Sequence, residues 1–149
     1  MSRVALLLLV VVAASCSGDD GRLTKAEYAE KVRTVYADVQ EVFARTNVAP
    51  DELADRVADA QDELRDAADE LEDIRPPDDV VAEHDQIVEG LRAYAEDLDR
   101  LRNAAERGDE RTIADFNSRV AENDSVVLIA EAAESMKFKG YDLGQIAEE

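Results

Sequence analysis

Two regimes of hydrophobic patterning divide the chain. Val4 to Ala14 is an unbroken apolar run, whereas from Leu23 onward apolar residues recur every three or four positions. The second pattern is that of amphipathic helices, and no segment alternates as a half-buried strand would. The first predicted helix spans about 25–46. Thr24-Lys25-Ala26-Glu27 fits a capping box, with Leu23 and Tyr28 at the hydrophobic-staple positions around it. Tyr28, Val32, Val35, Val39 and Val42 form its stripe, flanked by Tyr36 and Phe43.

A second helix is expected over about 51–75, opened by Pro50 and stopped by Pro76-Pro77. Its seam is Leu53, Val57, Ala60, Leu64, Ala67, Leu71 and Ile74, with the alternating four-three spacing of helices packed at a shallow angle. The third, over about 78–107, carries Val81, His84, Val88, Leu91, Ala95, Leu98, Leu101 and Ala105, with Ile87 and Tyr94 alongside and Gly108 as its C-terminal cap. Asp109 caps a fourth, over about 110–138, with Ile113, Phe116, Val120, Val127, Ala130, Ala133 and Met136 on its stripe. Asn123-Asp124-Ser125 marks a kink or break within it, because these residues favour caps and turns. Gly140 ends the helix, and Phe138, Tyr141 and Leu143 are expected to fold back over the bundle end.

Four helices with one apolar face each and short connections predict an all-α, up-down four-helix bundle over 24–144, followed by a tail at 145–149. A coiled-coil hairpin pairing with a second chain is the alternative, against which the proline and glycine breaks argue.

Val4–Ala14 is too short to span a bilayer, which takes about 20 residues, but it has the length of a signal-peptide core after the positive start Met1-Ser2-Arg3. Ala13-Ala14-Ser15-Cys16, ending on the chain's one cysteine, resembles the lipobox of bacterial lipoproteins. The resemblance implies a signal peptide at 1–15, cleavage between Ser15 and Cys16, and a covalent diacylglyceryl group on Cys16. Two acyl chains hold a protein firmly to a membrane where one does not. Residues 16–23, polar and glycine-bearing, then form a tether, and the domain stands at the outer, extracytoplasmic face of the cell membrane. A secreted protein, or one tethered by an uncleaved N-terminus, is the alternative. Ser17 lacks the aspartate that resembles an inner-membrane retention signal in two-membrane bacteria.

Charge adds a second constraint. The 149 residues include 36 acidic and 17 basic ones, for a net charge of −19, and cleavage removes Arg3 as well. Such a surface repels nucleic acid and anionic headgroups and attracts cations and basic partners, although adaptation to salt produces the same bias. With Cys16 in lipid, no cysteine remains for a disulfide or thiolate site, so the fold must stand on its apolar core.

Asp55, Asp59, Asp62, Asp66, Asp69 and Asp73 repeat the spacing of the second helix's seam, displaced by two residues or about 200°. The row faces water. It is either a weak surface for divalent cations or a basic envelope protein, or a solvated helix face. The latter is favoured, since calcium takes 6–8 oxygens converging from a loop. His84, the one histidine, lacks the Glu-x-x-His pairing of bundle metal sites and is expected to pack in the interior or at its edge. Tyr28, Tyr36, Tyr94 and Tyr141 are expected in the core with hydroxyls at its rim rather than around a ligand. Gly90, mid-helix, is either a close-approach point or tolerated. No nucleophile–base pair, phosphate loop or zinc spacing is present, which predicts a non-enzymatic protein.

From Leu23 onward the chain resembles uncharacterised small helical lipoproteins of high-GC bacteria. The features are Leu23-Thr24-Lys25-Ala26-Glu27-Tyr28, Pro76-Pro77, His84-Asp85 and Gly140-Tyr141-Asp142-Leu143-Gly144. Members often carry a cysteine in the first helix and another in the closing motif. The resemblance implies that Tyr36 and Leu143 stand in those places and that an apolar contact replaces the staple. It implies architecture and location but no activity. The expected role is a binding or spacer module in the cell envelope. Rivals are a divalent-cation- or solute-binding lipoprotein, and an inhibitor or accessory protein docking a basic partner.

Overall fold

The computed structural model describes residues 21–44 and 52–144. Ser15 and Cys16, with the signal segment, most of the tether, Pro50 and the tail at 145–149, lie outside the described residues.

The chain folds as an all-α four-helix bundle. Helix α1 (Lys25–Ala44) starts where the capping box predicts. The Thr24 amide and hydroxyl both donate to Glu27 Oε2, at 2.9 and 2.6 Å. Tyr28 is fully buried and Leu23 half-buried, as a staple requires. The Leu23 amide also donates to the Arg75 carbonyl at 3.0 Å, pinning the incoming chain to the end of α2 (Leu53–Glu72). Val32, Val35 and Val39 continue the buried stripe of α1.

On α2 the seam from Val57 to Leu71 is buried, joined by Ala68 and, against its polarity, Gln61. A short 3₁₀ turn (Asp78–Val80) precedes α3 (Val81–Glu106). That turn shifts the start of the expected stripe: Val80 is fully buried and Val81 faces out at 37 % exposure. At the other end Ala104, not Ala105, is fully buried. Gly108 (φ 64°) closes α3 in the left-handed conformation that a helix C-terminus favours. Asp109 then caps α4 (Glu110–Arg119), accepting from the Thr112 amide at 3.1 Å.

The fourth arm is two helices rather than one. A 3₁₀ turn (Val120–Glu122) ends α4, Asn123 is extended (φ −70°, ψ 130°), and its Oδ1 accepts from the Ser125 amide at 3.1 Å to start α5 (Asp124–Phe138). The break resets the helical phase. The inner face of α5 is Ser125, Ile129, Ala132, Ala133 and Met136, while Val127 and Ala130, expected inside, are exposed.

Helix α3 is the hub, packing on α2 along one side and on α5 and α4 along another, with α1 laid on α2. Gly90 allows α3 and α5 to approach closely: a Cβ there would stand 2.5 Å from Ile129 Cγ1 and 3.1 Å from the Ser125 carbonyl oxygen. Helix α1 lies close along α2 but has no comparably extensive close approach to the fourth arm. After Gly140, Tyr141 and Leu143 do fold back and are buried, but Phe138 does not and is 83 % exposed. No described helix is long and apolar enough to cross a membrane.

Candidate functional site

The aspartates of α2 occupy the outward face that their spacing predicts, and all six are exposed. They do not form a bare ladder. Arg65 pairs with Asp62 at 3.0 Å, Arg56 lies 3.7 Å from Asp59, and Arg92 reaches from α3 to Asp69 at 2.8 Å. Arg92 also takes both Glu72 oxygens, at 2.6 and 3.2 Å, and holds that carboxyl below its usual range. Exposed pairs of this kind contribute at most about 1 kcal/mol each. Among the described residues no three His, Cys, Asp or Glu side chains converge as a metal site. Beside this face, an open recess of about 1300 Å³ runs between the incoming chain, the end of α2 and α3. Its arginines are engaged within the protein: Arg22 donates to the Pro76 carbonyl at 2.8 Å and pairs with Asp78 at 2.9 Å.

At the end of the bundle where the chain enters, a cluster of polar groups joins α1, the start of α3 and the closing segment. His84 is buried, as expected, with Nδ1 3.0 Å from the Tyr28 hydroxyl. Burial pushes the imidazole below its ordinary pKa, with Asp85 opposing, and pushes the Tyr28 phenol up, so both groups are neutral near pH 7. Tyr28 and Tyr141 meet edge to face with centroids 5.9 Å apart, and the Tyr141 hydroxyl donates to Asp79 Oδ1 at 2.6 Å. Glu83 Oε1 accepts from the Ser135 hydroxyl at 2.7 Å and from Lys139, whose hydrogen bond holds the carboxyl below its usual range. Lys139 also donates to the Asp79 carbonyl at 2.6 Å. Lys25 donates to the Lys139 carbonyl and lies 4.5 Å from the Tyr141 ring centroid. Apart from Glu83 Oε2, which is buried without a hydrogen-bond partner, these groups answer one another, and the cluster forms a clasp that holds 139–144 on the bundle.

The seam between α1 and the fourth arm has a different character. One lobe of about 490 Å³ is lined by Tyr36, Val39, Phe43, Leu91, Tyr94 and Ile129, among others. A second, of about 390 Å³, continues toward α4 between Val42, Leu53, Val57, Leu98, Leu101 and Phe116. Phe43 and Tyr94 line both and stack with centroids 5.9 Å apart and planes 17° from parallel. The lining is chiefly apolar. Gln40 and the Tyr36 hydroxyl, 2.8 Å apart, lie along the first lobe, and Arg56 and Asn117 along the second. From Leu91 to Leu101 the cleft follows α3 for about 15 Å. An apolar cleft of a few hundred Å³ with sparse polar groups is the usual form of a small-ligand site. So the four tyrosines divide: Tyr28 and Tyr141 serve the clasp, Tyr36 and Tyr94 the cleft. Leu143 is buried in the core beside α1, where Arg33 lies against Gly144.

Two features escape the periodicity. Gln61, fully buried, donates to the Ala95 carbonyl at 2.7 Å and to Asp99 at 2.9 Å, and accepts from Arg102 at 3.1 Å. The other is the cleft, whose lining from α5, Val126, Ile129 and Ala130, follows the break that Asn123-Asp124-Ser125 marks in the sequence. Comparison with models of protein families, with the curated proteins and with the solved structures finds no match to this chain, and the likeness to small helical lipoproteins stands on the residues quoted for it.

Proposed function

We propose that this chain is a lipoprotein anchored through a diacylglyceryl group on Cys16 at the outer face of the cell membrane, with a bundle that serves as a non-enzymatic binding module. The anchor is supported by the apolar run ending in Ala13-Ala14-Ser15-Cys16. The binding role is carried by one observation, the cleft between α1 and the fourth arm, whose two lobes meet at the Phe43–Tyr94 stack.

An apolar trough that follows α3 for about 15 Å suits an elongated apolar molecule, such as one acyl chain, better than a compact polar solute. The acidic surface disfavours an anionic head beside it. A module held at the bilayer also meets such molecules at high local concentration. The aspartate row offers a cation no convergent ligand set, and Asp59, Asp62 and Asp69 are already paired with arginine, so the cation-binding and basic-partner readings have less support.

Two experiments test the two halves. The Cys16→Ser chain should leave the membrane fraction or stay unprocessed; unchanged membrane retention of a processed Cys16→Ser chain rejects the anchor. A fluorescent apolar probe displaced by a monoacylglycerol should bind the native chain. Binding should fall at least about tenfold, or 1.4 kcal/mol, in Ala130→Trp, which fills the first lobe from its exposed rim. Equal binding by both chains rejects the cleft as the site.

A further inference from the structure

We propose that the bundle makes a second contact with the membrane, through Phe138 and its flanking lysines, an inference that rests on the lipid anchor proposed above. Among the described residues three large apolar side chains are more than a third exposed: Val81 and Val127 at 37 % each, and Phe138 at 83 %. Phe138 stands apart in degree and in setting, in the last turn of α5 between Lys137 and Lys139.

The clasp shows which end of the bundle this is. Lys139 reaches Asp79 and Glu83, Lys25 reaches the Lys139 carbonyl, and Arg22 pairs with Asp78. Phe138 therefore lies at the end where the chain arrives from Cys16. Four residues, and therefore five Cα–Cα steps, separate Cys16 from Gly21. Fully extended they span no more than about 18 Å, and each polar headgroup region is itself roughly 5–8 Å deep. A diacylated Cys16 thus confines this end of the bundle to the neighbourhood of the headgroups.

The chemistry of the end matches that position. An aromatic ring in water beside a bilayer is stabilised by entering the interface. Lys137 flanks the ring with the kind of long apolar stem that lies along such a boundary, while the Lys139 and Lys25 ammoniums stay in the clasp and hold the ring's backbone at this end. All four lysines of the chain, Lys25, Lys31, Lys137 and Lys139, are on this half of the bundle, although the chain as a whole is strongly acidic. Asp78, Asp79 and Asp142 are also here, with Glu27, Glu70, Asp73, Glu83 and Glu134; Arg22 pairs with Asp78, Lys31 with Glu70 and Lys139 with Glu83, the Tyr141 hydroxyl binds Asp79, and Arg33 lies 3.7 Å from Asp142. The partner is therefore the headgroup–acyl boundary of a bilayer, entered by one ring, with the bundle standing end-on.

The chain contains no tryptophan, so Phe138→Trp introduces a single indole probe. The Phe138→Trp chain, expressed with its signal, is purified from membranes and reconstituted into phosphatidylcholine vesicles with and without acyl-chain bromine. Val127→Trp, about 16 Å back along α5, is the control. The expected result is blue-shifted indole emission from the Phe138→Trp chain that the brominated lipid quenches, with the Val127→Trp chain unquenched. Emission at the aqueous wavelength from a vesicle-bound Phe138→Trp chain overturns the second contact and leaves the anchor standing. A blue shift that bromine does not quench means that a second copy or the chain's own tail covers the ring, and overturns it equally. If the chain does not fractionate with membranes at all, the anchor fails first and takes the second contact with it.

Discussion

Replacing Gly90 with alanine sets two effects of known sign against each other. In an exposed helix the change would stabilise by about 1 kcal/mol, the difference in helix propensity. At Gly90 the new methyl meets α5: Ile129 Cγ1 at 2.5 Å, Ile129 Cδ1 at 3.3 Å and the Ser125 carbonyl oxygen at 3.1 Å. Ile129 is β-branched and held near one rotamer by its helix, so its Cγ1 cannot swing clear, whereas the Ser125 carbonyl has to give by only a few tenths of an ångström. Overpacking of this kind costs roughly 1–3 kcal/mol, so the net expectation for Gly90→Ala is a loss of about 1 kcal/mol. The assay is urea unfolding followed by helical circular dichroism, in which a lower midpoint at unchanged slope reports stability alone. Ile129→Ala removes two of the three contacts. In that background Gly90→Ala should cost little or nothing, giving a coupling of about 1 kcal/mol or more in the double-mutant cycle. Stabilisation by Gly90→Ala alone, or additivity of the two changes, would refute the close approach of α3 and α5.

Two further outcomes follow from buried polar groups. His84 has a depressed pKa in the folded state, so the unfolded chain binds the extra proton first as pH falls. Stability should therefore drop as pH goes below about 6.5, and this slope should vanish in His84→Gln. The lowered carboxyl of Glu83 contributes separately: its stabilisation is present above about 4.5 and is lost as pH falls through its lower folded value. A pH-independent midpoint in the native chain between pH ~7 and ~5 would contradict the His84 assignment. Gln61→Ala deletes one buried and two part-buried hydrogen bonds and leaves a void, and should cost about 2–4 kcal/mol in the same unfolding assay; a loss under ~0.5 kcal/mol would show that Gln61 is not held as described.

The helical class and the starts of its elements were legible because local chemistry dictates them. Thr24 with Glu27, Asp109 with Thr112, and Gly108 each act within a few residues, where sequence order is spatial order. The α2 seam was legible because its neighbours repeat the same period. Where the sequence misled, a tertiary or junction effect outweighed the pattern. The Asp78–Val80 turn rotated the start of α3 and exchanged Val81 for Val80 inside. The break at Asn123 moved the inner face of α5 away from Val127 and Ala130. Gln61 belongs to the interior because Ala95, Asp99 and Arg102 of α3 receive it, and no property of α2 alone announces that. Phe138 was expected to fold back over the bundle end with Tyr141 and Leu143, yet it lies two residues, about 200° of helix, past buried Met136 and faces out. For the candidate site, the aromatic residues could be named in advance but not their grouping. The cleft arises from how far α1 stands from the fourth arm, a distance that periodicity does not encode.

The clasp brings the two described extremities of the domain to the same pole. The chain arrives at Leu23 beside Arg75 and reaches Tyr141 beside Asp79, while the turn at Arg107–Asp109 caps the opposite pole, about 39 Å away along α3. A fluorophore or reporter domain grafted after the closing segment would sit next to the incoming strand. One inserted at Gly108, where an added Cβ would meet nothing within 4 Å, would project from the distal tip. A pair of labels at these two places would therefore serve as a ruler along the long axis.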